Sequence, residues 1–420
     1  MNKVKLGDIL DVKRGTNLPS KYYSTKGNKI RLTLGNFNYP NGGFKENLSK
    51  EDKYFLGDVK PEFILKKGDI ITPLTEQVSG LLGETAIIPE DNLYVQSGDI
   101  ALIIPDEKKL DKNFAYYLIS SPSIKKQLGA AAQQTKIRHT SPDKIKSCEA
   151  WLPDILTQKK VGLLLNSINN KINNNNKIYA ELEAIARTIY DYWFLQYEFP
   201  NEEGKPYKSS GGKMIWNEEL KKEIPDGWKL KKIVEIEDNI VTGKTPSTKD
   251  ETNFGGEIPF VTIDDIRKGM YISKTERTLS KKGADLQKNK YIPANSLCIT
   301  CIATVGLVGI TTRQSQTNQQ INSIICKNTN NIYFLLNAIR NYFKFSTGAK
   351  SGNIFDNMNK EDFSNIKLIY PNKNIIDKYA QKAKPVYDKI RENFLENEEL
   401  TSLRDYLLPL LMNGQVGFKN

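Results

Sequence analysis

The chain has 420 residues, which exceeds one ordinary domain and suggests two or three. Its net charge is +12, its sequence pI is about 9.1 and its mean hydropathy is −0.51. No apolar run approaches the roughly 18 residues that cross a membrane, so we expect a globular protein with no membrane segment. The basic excess indicates a polyanionic partner, with nucleic acid as the first candidate. A basic surface that only keeps the protein soluble is the alternative.

Cysteine and histidine are too scarce for most metal and nucleophile chemistry. The four cysteines do not form a disulfide framework, and the first residues lack the features of a secretory signal, so we expect a cytoplasmic protein with free thiols. Cys298 and Cys301 have the spacing of a zinc-ligand pair. They lie in an apolar run without a second pair, which favours buried core residues. His139 is the single histidine, so every site that needs two is excluded.

The two halves of the chain repeat one another at an offset of about 218 residues. A glycine-containing polar turn near the start of the first half, Arg14-Gly15-Thr16, has its counterpart in Thr242-Gly243-Lys244. Near the end of each half a strand-like segment closes on a proline, Pro153 in the first and Pro371 in the second. The repeat predicts an α+β protein with two globular domains of mixed β structure and short helices.

After each proline, mostly apolar residues recur with alternating spacings of four and three residues, which is typical of a long helix in a coiled coil. The first seam has one polar position and the second has three. The first seam is Val161, Leu165, Ile168, Ile172, Asn175, Tyr179, Leu182, Ala186, Ile189 and Trp193, and the second is Tyr379, Ala383, Val386, Ile390, Asn393, Asn397, Leu400, Arg404, Leu407 and Leu411. About 40 residues at 1.5 Å per residue predict a rod of roughly 60 Å in each case. The helical segments 156–199 and 374–413 have net charges of +1 and −1, so the basic excess lies in the globular parts.

Three features of the helical segments complicate this prediction. The run 169–176 is rich in asparagine, so a turn between two shorter helices is the alternative to one continuous helix. Pro385 predicts that the second helix begins or kinks there, and Pro409 marks a kink or an end. Asn175 and Asn393 occupy matching seam positions, and we hypothesise that they fix helix pairing. A loosely packed, hydrated part of the seam is the alternative.

Signatures of nucleic-acid enzymes fail in this sequence. Gly243-Lys244-Thr245 resembles the end of a phosphate-binding loop, but Asp238 stands where the first glycine is required, and Pro246 follows at once. No Asn-Pro-Pro-Tyr tetrad could grip an adenine, no GxGxxG stretch could bind an adenosyl cofactor, and no Pro-Asp pair leads to a nuclease motif. The sequence therefore predicts a binding protein and not an enzyme. Two rival interpretations are a fragment of a restriction enzyme or methyltransferase whose catalytic part is encoded elsewhere in the same polypeptide, and a coiled-coil adaptor with incidental basic charge.

Four segments carry a resemblance to a known family: 185–194, 199–214, 224–228 and 403–414. The first begins Ile185-Ala186-Arg187 and ends Tyr192-Trp193-Phe194, and the last runs from Leu403 to Gly414. In this order, and combined with the internal repeat, they resemble the specificity subunits of type I restriction-modification systems. The resemblance covers nearly the whole chain.

The resemblance implies two target recognition domains, each reading one half of a split double-stranded DNA sequence, separated by two long helices that form an antiparallel coiled-coil spacer. The chain would divide into a first recognition domain (1–153), a central helix (154–200), a linker (201–224), a second recognition domain (225–372) and a distal helix (373–420). Methylation subunits, expected to number two, would dock on the helices, bind S-adenosylmethionine and methylate adenine. A restriction subunit would supply ATP- and magnesium-dependent translocation and cleavage. This chain is expected to hold no catalytic residue, cofactor or metal.

DNA contacts are expected from polar and cationic side chains in loops at equivalent places of the two repeats. In the first repeat these are Lys13, Arg14, Thr16, Asn36, Asn38, Gln77, Ser79, Gln133, Gln134, Lys136, Arg138 and His139. In the second they are Lys244, Thr245, Arg267, Arg313, Gln314, Gln316, Asn318, Gln319, Lys350 and Asn353. An ordinary solvated loop or a turn-capping side chain is the alternative for each. The run 133–139 is the strongest candidate, and His139 fits a loop or phosphate contact better than a catalytic base.

Overall fold

The computed structural model describes residues 2–39, 42–76, 80–131, 138–348 and 357–418. The chain divides into two compact units. Unit 1 comprises Met1–Asn173 and Glu398–Asn420, and unit 2 comprises Asn174–Asn397. Each unit therefore contains one globular repeat and part of each long helix. The division into five parts by residue number stays a prediction.

Unit 1 is built around a four-stranded antiparallel sheet. The strands of unit 1 are β1 (Asn2–Lys5), β2 (Leu10–Arg14), β3 (Tyr23–Ser24), β4 (Ile30–Arg31), β5 (Tyr54–Phe55), β6 (Ile70–Pro73), β7 (Thr75–Glu76), β8 (Ala86–Ile87), β9 (Tyr94–Val95), β10 (Ile100–Pro105), β11 (Arg138–His139) and β12 (Glu149–Leu152). The helices of unit 1 are α1 (Lys112–Ile119), α2 (Pro122–Ala131), α3 (Pro142–Ser147), the first part of α4 (Ile155–Tyr190) and the last part of α10 (Lys373–Met412). The central sheet has the order β2-β10-β6-β8, and smaller sheets pair β1 with β12 and β7 with β11. Leu6, Ile103 and Phe114 lie in the hydrophobic core of unit 1.

Unit 2 is built around a five-stranded sheet. The strands of unit 2 are β13 (Met214–Asn217), β14 (Lys222–Pro225), β15 (Lys229–Lys232), β16 (Ile240–Thr242), β17 (Phe254–Val261), β18 (Tyr271–Ile272), β19 (Arg277–Leu279), β20 (Leu297–Thr300), β21 (Val308–Thr311), β22 (Gln316–Thr317), β23 (Ile321–Ile324) and β24 (Lys367–Tyr370). The helices of unit 2 are the second part of α4, α5 (Ile233–Ile236), α6 (Ile263–Arg267), α7 (Lys281–Asp285), α8 (Asn331–Gly348), α9 (Lys360–Ser364) and most of α10 (Lys373–Met412). The central sheet has the order β16-β23-β20-β21-β18.

The two units share one topology, which confirms the predicted repeat. The order β2-β10-β6-β8 in unit 1 corresponds to β16-β23-β20-β21 in unit 2, which adds β18 at its edge. The ladder of β1 with β12 corresponds to that of β15 with β24. The short helix before each closing strand begins with a side-chain cap, because Ser141 accepts from the N–H of Lys144 and Asn359 accepts from that of Asp362.

The long helices are continuous along their whole length. α4 has 36 residues and crosses the asparagine-rich run without a break, so the alternative of two shorter helices is wrong. A π-helical turn, Asp191–Leu195, follows it directly. α10 has 40 residues and begins at Lys373, so a helix start at Pro385 is wrong, whereas a kink there stays a prediction. Pro409 lies in its last turn, close to the predicted end. Among the described residues, no helix is both long and apolar enough to cross a membrane.

Side chains on α10 explain why the helix persists through Pro385. Proline inside a helix costs about 3 kcal/mol. Tyr379, Ala383 and Tyr387 are almost completely buried on either side of it. Burial of one large side chain contributes roughly 1.5–3 kcal/mol, so the packing of this stretch offsets the cost of the proline.

The residues of both seams are buried or half-buried as the four-three spacing predicts, and the helices are antiparallel within each unit. In unit 1, Val161 and Leu165 of α4 share a core with Leu411 of α10. In unit 2, the ring of Tyr190 lies 6.3 Å from that of Tyr379, while Asn175 bonds to Glu396. The residue numbers rise along one helix as they fall along the other. The predicted coiled-coil pairing is therefore confirmed.

Asn175 and Asn393 are both buried in this seam. Asn175 is 1% exposed, and its Nδ2 donates to Oε2 of Glu396 at 2.7 Å. Asn393 is 4% exposed. Their burial argues against a hydrated part of the seam, whereas their role in fixing helix pairing stays a prediction.

Candidate nucleic-acid interface

Loops at one end of the central sheet in unit 1 bring several predicted residues together. β2 ends and β10 begins at this end, where Arg14 pairs with Ala101. β6 ends beside them and leads into β7, whose Glu76 lies opposite Arg138 of β11. We name this set of residues, 14–17, 74–76, 96–99 and 138–139, the loop end of unit 1.

The same end of the sheet in unit 2 is built in the same way. β16 ends and β23 begins there, where Thr242 pairs with Asn322. β20 also ends there, and in the turn that follows Ile302 bridges to Asn357, much as Thr75 pairs with His139 in unit 1. We name residues 242–245, 300–306, 318–320 and 357–358 the loop end of unit 2.

Two glycines allow the backbone segments at each loop end to pass close together. The N–H of Gly15 donates to the carbonyl of Ile100 at 3.0 Å, and that of Gly243 donates to Ile321 at 3.1 Å. A Cβ on either glycine would lie 2.2 Å from a carbonyl oxygen of the facing loop. These positions therefore require glycine, which explains the repeated turn seen in the sequence.

The predicted cationic residues of unit 1 that the structure describes are exposed at or beside its loop end. Lys13, Arg14, Arg138 and His139 are exposed, and Thr16 is half-buried. Arg14 donates through Nε to a carbonyl oxygen of the facing loop at 2.8 Å. This contact directs one cationic side chain along the loop end while leaving its charge accessible to solvent.

Unit 2 brings a comparable set together. Lys244 and Gln319 are exposed, and the hydroxyl of Thr245 donates to Oε1 of Gln319 at 2.6 Å. Asn318 is half-buried, and its Nδ2 donates to Gln320 at 2.9 Å. Cationic and amide side chains thus lie side by side, which is the combination that binds phosphates and base edges.

Arg267 joins the loop end of unit 2 from α6. Its Nη1 donates to Oδ1 of Asp264 at 2.6 Å, and its Nη2 donates to the hydroxyl of Thr304 at 3.1 Å. The side chain is 55% exposed. The guanidinium is therefore held beside the turn after β20 with much of its surface open to solvent.

Two predicted residues are turned inward. Asn36 is 2% exposed, accepts from the N–H of Thr33 at 2.9 Å and donates to the carbonyl of Lys45 at 3.2 Å. Gln316 is completely buried, and its Oε1 accepts from Gln287 at 2.7 Å. Their hydrogen-bonding groups are used inside the protein, so we leave both out of the proposed interface.

Other predicted residues lie away from the loop ends. Arg313 and Gln314 follow β21 at the opposite end of the unit 2 sheet, where Arg313 donates to the carbonyl of Ser273 at 3.1 Å. Asn38 is half-buried outside the central sheet. A further set lies outside the described residues: Gln77, Ser79, Gln133, Gln134, Lys136, Lys350 and Asn353.

Two buried polar residues that the sequence did not single out hold the loop end of unit 1. Gln96 is 1% exposed, and its Nε2 donates to the carbonyl of Lys13 at 2.8 Å. Glu76 is 3% exposed and accepts from the N–H groups of Gly80 and Leu82. Glu76 directly precedes the predicted Gln77, which is a sequence signal that could have pointed to it, whereas no predicted residue neighbours Gln96 in the sequence.

The described residues contain no cluster of His, Cys, Asp and Glu that could hold a metal ion. Cys298 and Cys301 are buried, which confirms that they are core residues. Burial raises the pKa of Cys298 to about 12 and that of Cys301 to about 11. Both thiols are therefore protonated and poorly nucleophilic at neutral pH.

A family model described as the type I restriction modification DNA specificity domain matches residues 1–184 and again residues 225–401. The chain belongs to this family. It is a DNA-recognising specificity subunit, the non-catalytic component of a type I restriction-modification system. The double match agrees with the repeated topology of the two units.

Known proteins similar to the chain cover most of its length. The type I restriction enzyme HindI specificity subunit from Haemophilus influenzae is 29% identical over 406 residues, which cover 84% of this chain and 87% of that protein. The MjaIX specificity subunit from Methanocaldococcus jannaschii is 24% identical over 336 residues, covering 75% and 71%. The crystal structure of a type I restriction-modification S subunit from M. genitalium has a TM-score of 0.60 at 15% identity and covers 98% of this chain and 96% of that one, which shows the shared fold.

Proposed function

We propose that each loop end reads one half of a split DNA target, so that this specificity subunit directs its partners to that sequence. The observation that carries the proposal is that both units repeat the same loop end. Each loop end presents exposed cations, such as Arg138 in unit 1 and Lys244 in unit 2. Lysine and arginine bind phosphates, while arginine, asparagine and glutamine distinguish base edges in the major groove. The net charge of +12, carried outside the helical segments, supports the same partner.

The second part of the proposal is that methylation subunits dock on the long helices. In unit 2, Ile178, Ile185 and Tyr192 recur every seven residues and are 41%, 48% and 40% exposed. In unit 1, Leu156 and Leu163 have the same spacing and are 62% and 61% exposed. Seven-residue spacing places side chains on one face of a helix, and exposed apolar faces of this kind are typical of protein interfaces.

The chemistry is assigned to the partners. Two methylation subunits would bind S-adenosylmethionine and methylate adenine, and a restriction subunit would use ATP and magnesium. The specificity subunit contributes the choice of sequence. We place the assembly in the cytoplasm, where bacterial and archaeal DNA is accessible.

Co-expression of the chain with the methylation subunit encoded beside it tests the proposal. N6-methyladenine is then mapped across the host DNA by long-read sequencing. A split motif methylated on both strands, and lost when this chain is omitted, is the expected result. A stable purified complex that adds no methylation would contradict it. Binding that does not weaken as salt rises would instead favour a coiled-coil adaptor, because phosphate contacts release counterions.

A further inference from the structure

Glu76 places a buried carboxylate beside an exposed arginine at the loop end of unit 1. The side chain of Glu76 is 3% exposed, whereas that of Arg138 is 45% exposed. The two residues lie opposite each other in the ladder of β7 with β11, and Nη1 of Arg138 lies 3.4 Å from Oε1 of Glu76. Among the described residues, Arg138 is the cation within ion-pair distance of this carboxylate.

The second oxygen of the same carboxylate holds the backbone that follows. Oε2 of Glu76 accepts from the N–H of Gly80 at 3.1 Å and from that of Leu82 at 3.0 Å. These two bonds fix the position and orientation of the carboxylate. Oε1 is consequently presented to Arg138 from a rigid support.

Stability alone does not account for this pair. An ion pair with a largely exposed partner contributes little to folding, and burial of a carboxylate is costly. A long side chain held at one nitrogen, however, loses less freedom when it binds a ligand. Arginine has five donors, so engagement of one leaves others for a phosphate or for the O6 and N7 atoms of guanine.

We propose that Glu76 is a positioning residue, which holds the Arg138 guanidinium in the orientation that contacts DNA in one half of the target. The inference rests on the proposed function, because it assigns a DNA contact to the loop end of unit 1. It adds a residue that touches no DNA itself and acts through Arg138. Discrimination between bases in that half-site then depends on the charge of Glu76.

The test uses the full complex with its methylation subunits and a set of duplexes in which each base pair of the mapped target is changed in turn. Glu76→Gln keeps a carbonyl oxygen for the two backbone N–H groups but loses the negative charge that faces Arg138. Arg138→Gln removes the guanidinium. Glu84→Gln is the matched control, because the carboxylate of Glu84 is 5% exposed and pairs with Lys125 instead.

We expect Glu76→Gln to reduce base discrimination about tenfold in one half-site and to leave the other half-site unchanged. The double variant with Arg138→Gln should lose no more than Arg138→Gln alone, because Glu76 acts through that residue. The Glu84→Gln variant should discriminate as the unaltered complex does. Full discrimination by Glu76→Gln, an equal loss in both half-sites, or additive losses in the double variant would overturn the inference.

Two further measurements keep the outcome interpretable. If thermal melting shows that Glu76→Gln does not fold, Arg138→Lys replaces it, since lysine keeps the charge but not the planar set of donors. That variant should keep the salt dependence of binding and lose discrimination in one half-site; unchanged discrimination would overturn the inference. If the unaltered complex itself binds all duplexes equally, the proposed function fails and the role of Glu76 fails with it. If the unaltered complex discriminates and Glu76→Gln discriminates equally well, only the role of Glu76 fails.

Discussion

Arg267 and Arg313 can decide which end of the unit 2 sheet faces DNA. Both are exposed, but Arg267 donates to Thr304 at the loop end, whereas Arg313 donates to Ser273 at the opposite end. We expect Arg267→Gln to weaken binding of the specific duplex about tenfold and to lower the salt slope by about one, because a DNA contact is lost. Arg313→Gln should change neither. Anisotropy titrations of the full complex over a salt series measure both, and a larger loss for Arg313→Gln would contradict the proposed interface.

Gly15 and Gly243, where backbone segments pass close together at the loop ends, are predicted to be essential for local stability. Gly15→Ala or Gly243→Ala places a Cβ 2.2 Å from a carbonyl oxygen, so the facing loop must shift. We expect each substitution to lower the free energy of unfolding by about 1–3 kcal/mol, as measured by urea denaturation. Gly129→Ala is the control, because no heavy atom lies within 4 Å of its Cβ and the residue is inside α2. That change should raise stability by up to about 1 kcal/mol.

Residue type in a polar loop predicts capacity for hydrogen bonding but not burial. Asn36 and Gln316 are of the same types as the half-buried Asn38 and the exposed Gln319, and all four lie in polar stretches of the sequence. The difference arises from partners elsewhere in the chain, such as Gln287 for Gln316. Such pairs depend on the path of the chain in space. The sequence could therefore propose the set of loop residues but could not separate its inward from its outward members.

Replacement of Asn393 is the prediction that belongs to the long helices. Among the described residues, Nδ2 of Asn393 has no hydrogen-bond partner, whereas Asn175 donates to Glu396. A buried unsatisfied amide is costly, so we expect Asn393→Leu to stabilise the protein by about 1 kcal/mol and to raise the melting temperature by roughly 2–4 °C. Asn175→Leu should not stabilise, because it leaves the carboxylate of Glu396 without this donor. Equal effects of the two variants in calorimetry would show that the difference in hydrogen bonding does not matter.

The exposed face of α4 gives the second prediction at this scale. Ile185→Asp puts a charge on a side chain that is 48% exposed, so the fold should be preserved while an apolar interface is disrupted. We expect the methylation subunit to be lost from the variant in co-purification. Val234→Asp is the control, since Val234 is 38% exposed on α5 and lies off this face. Retention of the methylation subunit by Ile185→Asp would place the docking surface elsewhere.

Helix periodicity was readable from the sequence because it is local. Burial every three or four residues follows from helix geometry, and every predicted seam position is buried or half-buried. A helix start at Pro385 was wrongly expected for the opposite reason. Its cost is local, but the burial of Tyr379 and Tyr387 that offsets it depends on the surrounding fold.

At the scale of the whole molecule, the repeat was predictable and the sheet order was not. Matching segments recur in sequence, so two copies of one fold could be expected before the structure was known. The pairing of β2 with β10, and of β10 with β6, joins strands far apart in the chain. This pairing creates the loop ends, because it brings residues near 14, 75, 97 and 138 to one end of the sheet. The proposed interface is therefore a consequence of topology.

Independent cores in the two units imply that their specificities can be exchanged separately. Each unit buries its own apolar cluster, with Phe114 in unit 1 and Phe334 in unit 2, and each carries its own loop end. We expect replacement of residues 1–153 by the equivalent segment of a relative with a different target to change one half of the methylated motif and to keep the other. Replacement of residues 225–372 should change only the remaining half. Both outcomes can be measured by long-read mapping of N6-methyladenine in cells that express each chimera. A chimera that alters both halves of the motif at once would show that the two units do not recognise DNA independently.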